Sequence, residues 1–246
     1  MTDQLDPIAP DRAVEMYLTS RENELSKNSL QNYKYDLAAF TDWCQQEGID
    51  NMNDVTGRTV INFRMDRAEE VKQVTLRGNL WNLKKFLRFC KKIDAVRAGL
   101  NEKVAVPEVS TADEVNETYI TSEEADAMLE YLNKYEYASF RHAVFYTLWH
   151  TGMRSGSLRS LDLGDFDPDR NTLMLRHRPE TGTPLKNKAN GERDVYIKDD
   201  LCDVLSDFVD MHRSGCLDDY GREPLFSTGS GRPAKTTLQR NIYTVT

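Results

Sequence analysis

Two short stretches hold residues whose types and spacing could meet an anion. The first is Thr151-Gly152-Met153-Arg154, which follows the apolar run from Phe140 to Trp149 and precedes Leu158, Leu161 and Leu163. An arginine between two apolar rhythms is either a charge near helix-end carbonyls or a guanidinium held to meet an anion. Arginine stays protonated and presents a planar fork of donors suited to phosphate oxygens. A rigid junction would fix that fork before a substrate arrives, which is where electrostatic catalysis gains its strength. The second stretch is Asn187-Lys188-Ala189-Asn190-Gly191-Glu192-Arg193. Asn-Gly favours a type I′ turn, in which both central residues need positive φ. Lys188 is therefore expected on a hairpin beside a tight turn. It could equally be a solvated hairpin lysine, and Lys186 is the neighbour most easily confused with it.

A third signal lies in how charge is distributed. The chain of 246 residues has a net charge of −8, which by itself argues against a nucleic-acid partner. Residues 71–100, however, carry Lys72, Arg77, Lys84, Lys85, Arg88, Lys91, Lys92 and Arg97 against one acid, Asp94. Residues 108–130 carry eight acids and no lysine or arginine. A basic segment set in an acidic chain is either a solvated amphipathic helix or a phosphate-facing one. On the second reading the DNA-binding candidates are Arg77, Lys84, Lys85, Arg88, Lys91 and Lys92.

The elements that must position these residues follow from periodicity. Leu30, Tyr33, Leu37 and Phe40 recur at helical spacing after cap candidates at Ser26–Ser29, and Gly48 closes that helix. A second helix is expected from Thr59 to about Ala68. A third is expected from about Val74 to Ile93, with Leu76, Leu80, Leu83, Leu87 and Cys90 as its buried stripe. Residues 101–118 lack sustained periodicity and read as a linker. Thr121-Ser122-Glu123-Glu124 then reads as a capping box, and the long apolar helix before Thr151 follows. Thr172–His177 and Arg193–Ile197 read as strands of a small antiparallel sheet. A helix at about Asp200–Arg213 and a last helical pattern at Thr236–Thr246 complete the chain.

Thr151-Gly152-Met153-Arg154 with Leu158, Leu161, Asp165 and Phe166 resembles the first arginine motif of the tyrosine recombinases, the phage integrase and Xer family. Asn187–Arg193 resembles the family's β-hairpin lysine motif, with Lys188 at the lysine position. The resemblance covers about residues 10–246. It implies a mainly α fold with a small antiparallel β-sheet: a helical, SAM-like core-binding domain at 1–100, a linker at 101–118, and the N-terminal part of an α+β catalytic domain at 119–246. It also implies metal-free chemistry without a cofactor, in which a tyrosine attacks the phosphodiester and forms a 3′-phosphotyrosine. Arg154 would then neutralise the non-bridging oxygens, and Lys188 would protonate the 5′-oxygen leaving group.

The family's pattern is departed from in two places. The position three residues after Arg154, usually a carboxylate, is Ser157. None of His142, His150, His177 and His212 is followed by arginine three residues on, so the His-x-x-Arg motif is missing. Tyr243 precedes where that motif should come and reads as a core or surface tyrosine. The four histidines are expected to be structural or at the surface. The expectation is a catalytic domain cut short, inactive alone, with double-stranded DNA as partner and a homotetramer on paired sites in the full enzyme. The rival readings are a non-catalytic DNA-binding protein on the same fold and a helical protein-interaction module with no DNA role. A membrane helix needs ~20 apolar residues, and no run of that length is present. The N-terminus lacks a signal-peptide plan, and a cytoplasmic location is expected. The four scattered cysteines, at 44, 90, 202 and 216, form no CxxC pair and suggest free thiols, with no metal site.

Overall fold

The structure, a computed structural model, describes residues 5–110 and 119–244. The chain divides into two compact units, one ending at residue 118 and one beginning at Tyr119.

The first unit is built from helices that bury one face each. They are α1 (Pro10–Ser20), α2 (Lys27–Gln46), α3 (Gly57–Glu70) and α4 (Gln73–Lys92). The Ser26 hydroxyl caps α2 by accepting from the Ser29 N–H at 3.1 Å. Gly48, at φ +68°, takes the left-handed backbone that ends it. Thr56 and Thr59 form a reciprocal cap on α3. The expected stripe of α4 is buried throughout, from Leu76 to Cys90. It meets Phe40 of α2 and Phe63 of α3, whose rings pack edge-on with centroids 5.3 Å apart, and Tyr17 of α1, whose ring lies 5.7 Å from Phe86. Helix α1 is the one that periodicity does not reveal, because its buried set, Pro10, Ala13, Val14 and Tyr17, spans only about two turns. The core runs on through Leu100 and Val104, and residues 111–118 of the expected linker lie outside the described residues.

In the second unit, α5 (Ser122–Tyr135) opens with the expected capping box. Helix α6 (Phe140–Thr151) is followed by the short α7 (Ser155–Ser160). Strands β1 (Phe166–Asp167), β2 (Thr172–Leu175) and β3 (Arg193–Tyr196) form an antiparallel sheet in that order. Leu173 stands opposite Val195 and Leu175 opposite Arg193. Leu173 and Leu175 are both fully buried. Helix α8 (Asp199–Asp207) runs into a π-helical turn at Phe208–His212, and α9 (Lys235–Tyr243) follows. The chain is therefore mainly α with a small three-stranded antiparallel sheet. No helix among the described residues is long and apolar enough to cross a membrane.

One local expectation is overturned. Asn190-Gly191 does not make a type I′ hairpin turn. Residues Lys188–Gly191 form a 3-10 turn, and neither Asn190 nor Gly191 has positive φ. Strands β2 and β3 are joined by the whole of residues 176–192, so no two-residue turn sets their register. Gly191 is buried at the end of that turn. A Cβ there would lie 3.4 Å from the side chains of both Asn187 and Leu185.

Candidate active site and nucleic-acid interface

Helix α6 ends at Gly152, whose φ of +59° lets its N–H reach back to the Leu148 carbonyl at 3.0 Å. Met153 then turns inward and is buried. Arg154 follows in extended backbone as the N-cap residue of α7, and its carbonyl accepts from the N–H groups of Ser157 and Leu158. Its backbone is fixed at both ends while its side chain is exposed. In this unit the guanidiniums of Arg141, Arg159, Arg178, Arg213, Arg222 and Arg232 are engaged by carboxylates or carbonyls. That of Arg154 has no hydrogen bond or ion pair among the described residues. Among the described residues no carboxylate pairs with the Arg154 guanidinium. Ser157 is buried, and its carbonyl accepts from the Ser160 hydroxyl at 2.7 Å.

The segment just after Arg154 is clamped by an ionic network that sequence reasoning missed. Asp162 receives both Arg222 and Arg232, and Arg178 approaches it at 3.4 Å. Arg178 also holds Asp165 with two bonds of 2.6 and 2.7 Å, and this pairing raises its pKa. Arg232 reaches Asp218 at 2.7 Å. Burial alone would raise the Asp218 carboxyl, but bonds from the Arg222 N–H, the Arg232 side chain and the Tyr220 N–H outweigh it and hold the group below the usual range. These residues lie up to 70 positions apart, so no local pattern announces them.

The same network reaches the loop that carries Lys188. Arg159 of α7 donates to the Gly182 carbonyl at 3.1 Å. Arg222 donates to the hydroxyls of Thr181 and Thr183 at 2.6 and 2.9 Å. His177 Nδ1 accepts from the Leu185 N–H at 2.9 Å, and the Glu192 carboxylate accepts from the His177 N–H at 2.8 Å. The segments bearing Arg154 and Lys188 are thus cross-linked through one framework. Lys188 sits in the 3-10 turn rather than on a strand, at φ +53°. A non-glycine residue rarely adopts that region. Lys186 and Lys188 are both exposed.

Helix α4 places the six basic candidates on one face. At 100° per residue, Arg77, Lys84, Lys85, Arg88, Lys91 and Lys92 span about 120° of arc, clear of the buried stripe. Arg88, Lys91 and Lys92 are exposed, and Arg77, Lys84 and Lys85 are half-buried. Of the histidines, His142 is fully buried, and its Nδ1 accepts from the Ala138 N–H at 3.2 Å. Burial pushes its pKa down to about 4, so it is neutral and belongs to the core. No group of three or more His, Cys, Asp or Glu side chains among the described residues is placed to hold a metal ion.

Residues 16–92 match the family described as phage integrase, N-terminal SAM-like domain. This range takes in part of α1 and all of α2 to α4. The N-terminal domain of a phage integrase/site-specific recombinase from Haloarcula marismortui is 30% identical over 42% of this chain and 99% of that one, with a TM-score of 0.40. The chain belongs to the tyrosine recombinase, or phage integrase, family. The fold of the whole chain resembles a lambda integrase dimer bound to a COC′ core site, with a TM-score of 0.70 at 12% identity over 98% of this chain and 63% of that one. It also resembles the Tn1549 transposon integrase in complex with transposon right end DNA, with a TM-score of 0.69 at 12% identity over 96% of this chain and 78% of that one. This recombinase-family chain therefore spans less than two thirds of the lambda integrase chain it resembles.

Proposed function

We propose that this chain is the DNA-gripping part of a site-specific recombinase or integrase that cuts and rejoins DNA through a 3′-phosphotyrosine. The observation that carries the reading is the cationic face of α4, set within the segment that matches the family. Double-stranded DNA is the partner, and the full enzyme works as a homotetramer on paired sites. On this reading the first unit is the core-binding domain, the linker expected at 101–118 begins only after the core residue Val104, and residues 119–246 are the N-terminal part of the catalytic domain. Arg77, Lys84, Lys85, Arg88, Lys91 and Lys92 form the DNA face, and phosphate neutralisation supplies most of the affinity. Arg154 and Lys188 are the catalytic residues.

The chemistry divides between them. Attack on phosphorus builds negative charge on the non-bridging oxygens, and Arg154 meets that charge in both cleavage and rejoining. The departing 5′-oxygen needs a proton during cleavage, and Lys188 supplies it. A substrate with sulfur at the 5′-bridging position separates the two roles, because a thiolate leaves without a proton. The assay uses this chain joined to a segment that carries a nucleophilic tyrosine. Lys188→Ala is expected to slow cleavage of ordinary DNA by roughly 10²–10⁴ and to recover on the sulfur substrate. Arg154→Ala is expected to stay impaired on both. Rescue of Lys186→Ala instead of Lys188→Ala would move the general acid by two residues.

A further inference from the structure

Trp81 lies inside the cationic arc of α4, yet its indole is 52% exposed. The contrast with Trp43 is informative. Trp43 donates from Nε1 to Asp66 at 2.8 Å and packs on the Phe63 ring, so its place is accounted for within the fold. Trp81 instead stands among cations, and one of them is turned toward it. The Lys85 ammonium lies 5.7 Å from the Trp81 ring and 5.3 Å from the Tyr33 ring. It donates to the Tyr33 hydroxyl at 2.9 Å. Lys85 is thus engaged by the Tyr33 hydroxyl and lies beside the Trp81 ring, whereas its neighbours Arg88, Lys91 and Lys92 are exposed.

We propose that Trp81 is a base-reading side chain that packs on thymine C5-methyl groups in the major groove, with Lys85, itself held by the Tyr33 hydroxyl, positioning the indole. The proposal rests on the DNA-binding reading of α4 and divides the labour on that face. Arg77, Lys84, Arg88, Lys91 and Lys92 neutralise phosphates, and Lys85 acts through Trp81. The major groove admits an α-helix, and the thymine methyl is the apolar group that its base pairs present there. An indole amid cations is suited to that group. Apolar contact releases no counterions, so its contribution is independent of salt, unlike a phosphate contact.

The test measures binding of the full chain to a labelled duplex of alternating dA and dT, and to the same duplex with deoxyuridine in place of thymidine, across a salt series. Wild type is expected to prefer the thymidine duplex by about fourfold for each methyl group buried. Trp81→Ala is expected to lose that preference and keep the wild-type salt slope. Lys85→Met is expected to weaken the preference, again at unchanged slope. Both side chains lie outside the core, and a circular-dichroism melt confirms that the variants fold. A thymine preference retained in Trp81→Ala would overturn the proposal. So would a slope reduced by about 0.9 in Lys85→Met, which would make Lys85 a phosphate contact. Wild type bound with a steep salt slope but indifferent to the methyl group would overturn this inference alone. Wild type bound to neither duplex at low salt would overturn the DNA reading together with it.

Discussion

The two units are held together by different physics. The first is a helical core in which Phe40, Phe63, Phe86 and the α4 leucines exclude water, and its charges stay on the outside. The second has an apolar core as well, but the segments around its candidate site are held by arginines and carboxylates with few exposed atoms. The Arg232 and Asp218 side chains are only 4% and 5% exposed. A surface that follows a DNA backbone needs only a rigid helix with cations on one face. A site that meets one phosphate needs loops from distant parts of the chain fixed against each other, and directional ion pairs do that where a short sheet cannot.

The largest effects expected from this contrast are a matched pair of substitutions. Asp162→Ala would remove the carboxylate that Arg222 and Arg232 share, leaving Arg232 with Asp218 and Arg222 with Thr181 and Thr183, a loss of up to about 3–5 kcal/mol, the cost of a buried pair broken on one side. Phe86→Ala would empty a fully buried aromatic site at about 3–5 kcal/mol. Hydrogen exchange read peptide by peptide should show protection falling in residues 119–244 for the first variant and in residues 5–110 for the second. Protection reduced equally in both units would break the distinction.

Acid provides a smaller handle on the second unit. The buried His142 titrates near 4 in the fold and near 6.5 when unfolded. Between these values the unfolded chain binds the extra proton, so stability rises with pH across the window and is fully present above it. Urea midpoints from pH 4 to 6.5 should show a contribution of up to about 1.4 kcal/mol per pH unit that His142→Gln lacks. An identical slope in the variant would contradict the burial of the neutral imidazole.

A cap on the second unit comes next. Thr121→Ala removes the hydroxyl that accepts from the Glu124 N–H and is expected to cost about 1 kcal/mol, read as a lower denaturation midpoint. The smallest effect belongs to the catalytic candidate. Arg154→Ala is expected to change stability by less than about 0.5 kcal/mol, because its exposed guanidinium makes no hydrogen bond or ion pair among the described residues. A larger drop in a thermal melt would make Arg154 a structural arginine.

How far the sequence foretells these features tracks the same division. Helices α2 to α6 are legible because a 3.6-residue apolar rhythm and local caps such as Ser26 and Thr121 act over a few residues. Arg154 is legible because Gly152 marks a helix end from within its own neighbourhood. Asn190-Gly191 misleads because the dipeptide lies in the 3-10 turn at Lys188–Gly191, inside a long connection between β2 and β3, where it sets no strand register. The clamp of Asp162, Arg178, Arg222, Arg232 and Asp218 is invisible, since nothing in one segment reports its partner in another. Lys85 reads like the other cations of α4 because composition cannot tell a lysine facing solvent from one bonded to the Tyr33 hydroxyl beside Trp81.

The central claim is that α4 is the face that grips DNA. It is tested most directly by the salt dependence of duplex binding for wild type and for the combined variant Lys84→Gln, Arg88→Gln, Lys91→Gln and Lys92→Gln. Each phosphate that is no longer neutralised should lower the slope of log affinity against log salt by about 0.9. The account predicts a combined variant that binds more weakly at low salt, with a slope reduced by about three to four. A variant with the wild-type affinity and slope would contradict it and move the DNA surface off α4.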